Sequence, residues 1–187
     1  MPSFSQADLL TYVENRQRPD ALSTLASSAQ VAPVAPVSAR RVSAGAPAAR
    51  SAGSGGTLAD WAKSQLGTKE GSRHQRWYAS QIGVSPSIPW CSVFVGVGLK
   101  HLGVKLPSNP AYSGSWLNWK GGSRVSKSQI RAGDLVIYDW GDGGITDHVA
   151  IYTGNGQRIG GNQSNNVTTA GASLGQAVAV IRPKYGR

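Results

Sequence analysis

Large aromatic side chains are shared unequally along this chain, and that division fixes where a core can form. All six tryptophans (Trp61, Trp77, Trp90, Trp116, Trp119 and Trp140) and five of the six tyrosines lie beyond residue 56. Aromatic rings bring the largest buried areas to a core, so residues 57–187 are expected to form one domain of ordinary size. Residues 27–56 are Ala, Pro, Ser and Gly with scattered Arg, too poor in large apolar groups to offset the entropy of ordering, and read as a linker. Within residues 1–26, Ser5 to Gln17 has the pattern of a short helix, with Ser5 as N-cap and Asp8 three residues on. That segment reads either as a frayed terminus or as a docking peptide.

Charge and cysteine count narrow the chemistry. Nineteen Lys and Arg against nine Asp and Glu give a net charge of +10, which attracts polyanions: nucleic acid, anionic lipid or an anionic cell wall. The basic residues are scattered and form no recognisable nucleic-acid motif, so no specific nucleic-acid partner is expected. A single Cys among 187 residues excludes an internal disulfide, and with three His it cannot build a thiolate zinc site. The Asp139–Asp147 loop carries three carboxylates without EF-hand spacing, so no metal or other cofactor is expected. No run approaches the roughly 18 apolar residues of a membrane-spanning helix, and charges interrupt the first 25 residues where a signal peptide needs an apolar stretch.

Within the domain, Leu58–Leu66 and His74–Ile82 have helical spacing, with Gly67 and Gly83 as stops. Cys91 to Gly103 reads as a buried helix with Pro89 in its first turn, and Gly96 and Gly98 allow another element to approach closely. Short period-two runs follow at Asp134–Asp139, His148–Thr153, Gln157–Gly160 and Ala177–Ile181, joined by Gly-rich turns. Helices first and antiparallel strands after predict an α+β domain.

Cys91 is the chemically distinctive residue. At a helix N-terminus the dipole and unpaired N–H groups favour a thiolate, yet a lone Cys is as often a packed, inert side chain. A nucleophilic thiol needs a base. His101 lies about 15 Å along the same helix and is too far; His74 sits among charged residues; His148 opens a predicted strand whose exposed end can reach a groove. Asn162, after the next strand, is the best placed residue to hold the imidazole, as in Cys-His-Asn arrangements.

Taken in order, KEGSRHQRWYASQIG, PWCSVFVGVGLKHLG, SWLNW, AGDLVIYDW, DHVAIYTGNG and GGNQSNNV resemble the CHAP domains, cysteine- and histidine-dependent amidohydrolases and peptidases that are papain-like relatives of the NlpC-type peptidases and common in phage lysins. The resemblance covers about residues 57–187. It implies a papain-like fold, Cys91 as nucleophile, His148 as base and Asn162 as orienting group. Many CHAP members carry an acidic residue shortly before that Asn; here Ile159, Gly160 and Gly161 precede it, so three residues are expected rather than four.

The resemblance further implies amide hydrolysis in peptidoglycan. Trp90, Tyr78, Trp116 and Trp140, with Trp77 and Trp119, are candidates to line the substrate groove or to fill the core. Residues 1–26 would then dock the enzyme on a phage tail, with the linker giving it reach. A free endolysin acting from the host cytoplasm and a non-catalytic tail module are the alternatives.

Overall fold

A computed structural model describes residues 57–141 and 146–185. The helix expected near Ser5–Gln17, the linker and the middle of the Asp139–Asp147 loop lie outside those residues. Helix α1 (Leu58–Ser64) starts with a capping box: Asp60 N–H donates to Thr57 Oγ1 (3.2 Å) while Thr57 N–H donates to Asp60 Oδ2 (3.2 Å). Helix α2 (Arg73–Ile82) is capped by Ser72, whose hydroxyl accepts from Gln75 N–H, and stops at Gly83 in the left-handed region.

Helix α3 (Cys91–His101) is buried along its first nine residues, which is why its sequence is apolar all round rather than amphipathic. Its N-cap is Trp90, so Pro89 stands ahead of the helix and not in its first turn as expected. The two helix glycines mark crossings. A Cβ on Gly98 would lie 2.5 Å from the Trp61 ring and 2.8 Å from Leu58, which is where α1 crosses, and one on Gly96 would lie 3.2 Å from Ile82.

Six antiparallel strands form one sheet in the order β1-β6-β2-β3-β4-β5: β1 (Gly122–Val125), β2 (Leu135–Tyr138), β3 (His148–Gly154), β4 (Gln157–Gln163), β5 (Asn166–Gly171) and β6 (Ala177–Pro183). Alternation divides the sheet between two apolar layers. Leu135, Ile137, Val149, Ile151, Ile159, Ala179 and Ile181 join the α3 side chains in the main core. Val136, Tyr138, Tyr152 and Ala177 face the other way, under Ile130 and Leu174. Strands β1 and β5 were not anticipated. GSRV has one large apolar residue, and NVTTAG follows the polar run NQSNN, which reads as loop.

Two polar devices close the sheet. Arg182 on β6 donates from Nε (2.9 Å) and Nη2 (2.8 Å) to the carboxylate of buried Asp134, which also accepts from Arg131 N–H. At the opposite edge, residues 67–70 cover part of β5, with Gly67 N–H donating to Val167 O and Val167 N–H to Thr68 O. Among the described residues no helix is long and apolar enough to cross a membrane.

Candidate active site

The sole cysteine occupies the first turn of α3 and is 4% exposed. Trp90, the N-cap, offers no acceptor, and no side chain caps the helix. The positive end of an 11-residue helix therefore stands at the thiol uncompensated by a capping oxygen, the setting that favours a thiolate. Ser92, one residue on, ties this turn to the 110–116 segment: its hydroxyl donates to Pro110 O (2.8 Å) and accepts from Trp116 Nε1 (2.7 Å).

His148 opens β3 and pairs with Tyr138 of β2. It is 6% exposed, not at an open strand end as expected. The cause is Trp140, whose ring stacks on the imidazole at 5.8 Å and 19° and on Tyr138 at 5.5 Å and 20°. Trp140 N–H donates to Asp147 Oδ2 (2.6 Å), so the carboxylate next to His148 fixes the backbone of the residue that covers it. Ser113 donates to Thr146 O, two residues before His148. The 110–116 segment is thus bonded to both the cysteine turn and the approach to the histidine.

Helix α3 packs on β3 and β4, and the glycine pair 160–161 on β4 shows how closely. A Cβ on Gly161 would lie 2.6 Å from Phe94 Cβ and 2.8 Å from the Trp90 ring; one on Gly160 would lie 2.9 Å from His148 Nε2. The first turn of α3 and the imidazole thus press on two consecutive residues of one strand. Beyond them β4 departs from register with β5 between Gly160 and Gln163. Asn162 lies in this bulge with φ 56°, a left-handed conformation that Asn tolerates. Among the described residues its side chain makes no hydrogen bond. Gln163, which the sequence did not single out, also approaches this point: its Cδ would lie 3.0 Å from a Cβ on Gly160.

The aromatic candidates separate into core and surface. Trp90, Tyr78 and Trp116 are fully buried, which removes them from any groove. Trp90 covers Gly161, Trp116 spends its N–H on Ser92, and Tyr78 donates to Gln65 Oε1 (2.8 Å) while packing near Trp61, Phe94 and Trp90. Burial pushes the Tyr78 hydroxyl up to about 12. Trp119 is also buried, with its N–H on Lys105 O. Trp140 is half exposed and adjoins the imidazole; Trp77 is exposed on α2 beside His74. His74 bonds Gln65 Oε1 through Nε2, and burial lowers its pKa. His101 ends α3, opposite Cys91. No cluster of three or more His, Cys, Asp or Glu suited to a metal occurs among the described residues.

Comparison with known proteins places the fold. The fold is that of solved NlpC/P60 structures: NlpC2 from Trichomonas vaginalis superposes with a TM-score of 0.51 at 17% identity, over 70% of this chain and 46% of that one. The peptidoglycan hydrolase RipB from Mycobacterium tuberculosis gives 0.48 at 20% identity, over 70% and 64%. Among curated sequences, "Probable endopeptidase p60" of Listeria welshimeri is 39% identical over 85 residues, 46% of this chain and 15% of that protein. Its counterpart in Listeria monocytogenes serovar 1/2a is 36% identical over 85 residues, 46% and 16%. The chain thus spans about a sixth of the length of these relatives. The family model described as NlpC/P60 matches residues 78–178, more than half of the chain, and that stretch holds Cys91, His148 and the bulge of β4; the chain belongs to the NlpC/P60 family.

Proposed function

We propose that the domain is a cysteine peptidase that hydrolyses amide bonds in peptidoglycan. The observation that carries this reading is the placement of the only thiol at the uncapped N-terminus of a buried helix, whose first turn and His148 pack against the same pair of glycines. In the reaction, the Cys91 proton passes to His148 and the thiolate attacks the amide carbonyl. Backbone N–H groups of the first turn of α3 stabilise the oxyanion. His148 then gives its proton to the leaving amine, and a water that it deprotonates releases the acyl group from sulfur.

The similarity to proteins named endopeptidases favours cleavage between amino acids over cleavage at the sugar-to-L-Ala amide. The sequence pattern, resembling CHAP domains of phage lysins, supports delivery by a phage tail through residues 1–26 rather than release as a free endolysin. The chemistry is tested by incubating purified peptidoglycans of different cross-bridge types with the full-length protein and with Cys91→Ala, and identifying released termini by mass spectrometry. New amino termini from the wild type, reduced at least about 1,000-fold in the variant, are expected for a lost nucleophile. Equal release by both would overturn the reading.

A further inference from the structure

We propose that the groove along the outer side of β5 is a saccharide site, which holds the glycan strand of peptidoglycan beside the candidate active site. The ligand class rests on the peptidoglycan-hydrolase reading.

The segment after α1 runs alongside β5 and joins it at a bridge between Lys69 and Asn166. A groove of about 490 Å³ lies between Leu66 and Lys69 on that segment and Ser164, Thr168 and Thr169 on the β4–β5 hairpin. A second recess of about 500 Å³, against Glu70, Gly71 and Asn165, shares Lys69 and Asn166 with the first. Each has the size of a small-ligand site, and two recesses with common walls suit successive units of a chain. Gln163 also lines the first groove. Its Cδ would lie 3.0 Å from a Cβ on Gly160, and His148 Nε2 would lie 2.9 Å from the same point. The groove therefore begins next to the imidazole.

The chemistry of the lining selects the ligand. Gly67 N–H donates to Val167 O and Val167 N–H to Thr68 O, so the backbone of β5 is already paired here and an extended peptide has no ladder to join. What remains is side chains. Among the described residues the hydroxyls of Ser164, Thr168 and Thr169 and the ammonium of Lys69 make no hydrogen bond. Gln163 Oε1 is buried without a partner, which is unfavourable unless a donor is supplied. Hydroxyls and amides both donate and accept, as sugar hydroxyls and acetamide groups require. Leu66, 46% exposed, adds an apolar wall for the C–H face of a pyranose or an acetyl methyl.

The hairpin keeps these side chains at a cost. Ser164 (φ 49°) and Asn165 (φ 59°) are both left-handed, a conformation in which glycine would be unstrained. One of them lines each recess. Contact with a ligand gives a reason for side chains there that the turn alone does not.

The test titrates full-length Cys91→Ala with tetra-N-acetylchitotetraose, a chain of acetamido sugars without a stem peptide, and follows ¹⁵N–¹H correlation spectra. Saturable shifts are expected at the amides of Ser164, Asn166, Thr168 and Thr169. Adding Thr168→Val and Thr169→Val, which keep the branched shape and remove two hydroxyls, should weaken binding at least about tenfold. Should that variant fail to fold, Leu66→Ser at the exposed wall should weaken binding at least about threefold. Absence of saturable shifts would overturn the site, as would saturation by a free stem peptide in place of the sugar. So would shifts confined to α2 and abolished by Trp77→Ala, since an exposed indole is itself a platform for a sugar. Hydrolysis of peptidoglycan by the wild type is read separately. Cleavage without tetramer binding removes the saccharide site alone; tetramer binding without cleavage keeps the site and removes the hydrolase reading.

Discussion

Gly160 and Gly161 are chemically identical, yet they serve opposite faces of β4. Gly160 leaves room on the imidazole side, and Gly161 on the side of α3. The neighbours differ in how far they can yield. Above Gly161 the closest atom is Phe94 Cβ, at 2.6 Å from a built Cβ, and a Cβ moves only with its backbone. Gly161→Ala therefore has to lift the first turn of α3, and the thiol with it, off the sheet. Overpacking of this kind costs about 1–3 kcal/mol. The variant should melt at a lower temperature and lose hydrolysis by more than its unfolded fraction accounts for, because the displaced turn carries Cys91. Gly175→Ala is the matched control: nothing lies within 4 Å of a Cβ there, and both measurements should stay at wild-type values. Scanning calorimetry with a peptidoglycan turbidity assay reads both; wild-type behaviour of Gly161→Ala would show that α3 and β4 are not held this closely.

At the scale of elements, α2 is tied to the α1 end of the domain through Gln65 Oε1, which meets both the Tyr78 phenol and His74 Nε2. Tyr78 donates to Gln65 Oε1 at 2.8 Å and lies 3.4 Å from Thr68 Oγ1, inside a cage of Trp61, Trp90 and Phe94. Burial raises its pKa from 10.0 to about 12, while the Thr68 contact pulls slightly the other way. The folded state thus binds the phenolic proton more tightly than the unfolded chain. The stabilisation is complete below pH 10 and is lost as pH rises from there to about 12. Thermal stability should accordingly fall between pH 10 and 12, and Tyr78→Phe should flatten part of that fall while lowering stability at neutral pH through the lost hydrogen bond. Differential scanning fluorimetry across pH 8–12 measures this; a fall of the same steepness in Tyr78→Phe would place its cause in other groups.

The same elements show what could be read from the sequence. Helices α1 and α2 and strands β2, β3, β4 and β6 follow from periodicity and from Ser, Thr and Gly at the boundaries, and the helical state of Cys91–His101 from the length of its apolar run, whose Val-rich composition also permits a strand. Strands β1 and β5 escape because an edge strand buries little and needs few apolar residues. The burial of Trp90, Tyr78 and Trp116 escapes for a related reason: an aromatic residue reads alike in a groove or a core until its polar tip finds a partner. The bulge in β4 escapes as well, since strict alternation carries the strand straight on past Gly160.

For the whole molecule, charge is divided unequally between the two ends of the chain. Residues 57–187 hold 14 of the 19 Lys and Arg and 6 of the 9 Asp and Glu, so most of the positive surplus travels with the catalytic chemistry. Attraction to an anionic wall is then a property of the domain and is screened by salt. Residues 1–26 contribute little to that attraction and precede a segment too poor in large apolar groups to build a core of its own. If the phage-tail reading holds, deleting residues 1–26 should remove the protein from purified virions while leaving the rate on isolated peptidoglycan within about twofold, since none of the proposed catalytic groups is lost. Raising salt from 50 to 500 mM should weaken wall binding of the full-length and shortened proteins alike. Immunoblots of gradient-purified particles and cosedimentation with walls separate the two effects. Absence of the full-length protein from virions would remove the phage-tail reading, and loss of hydrolysis on deletion would mean that the amino-terminal segment takes part in the chemistry itself.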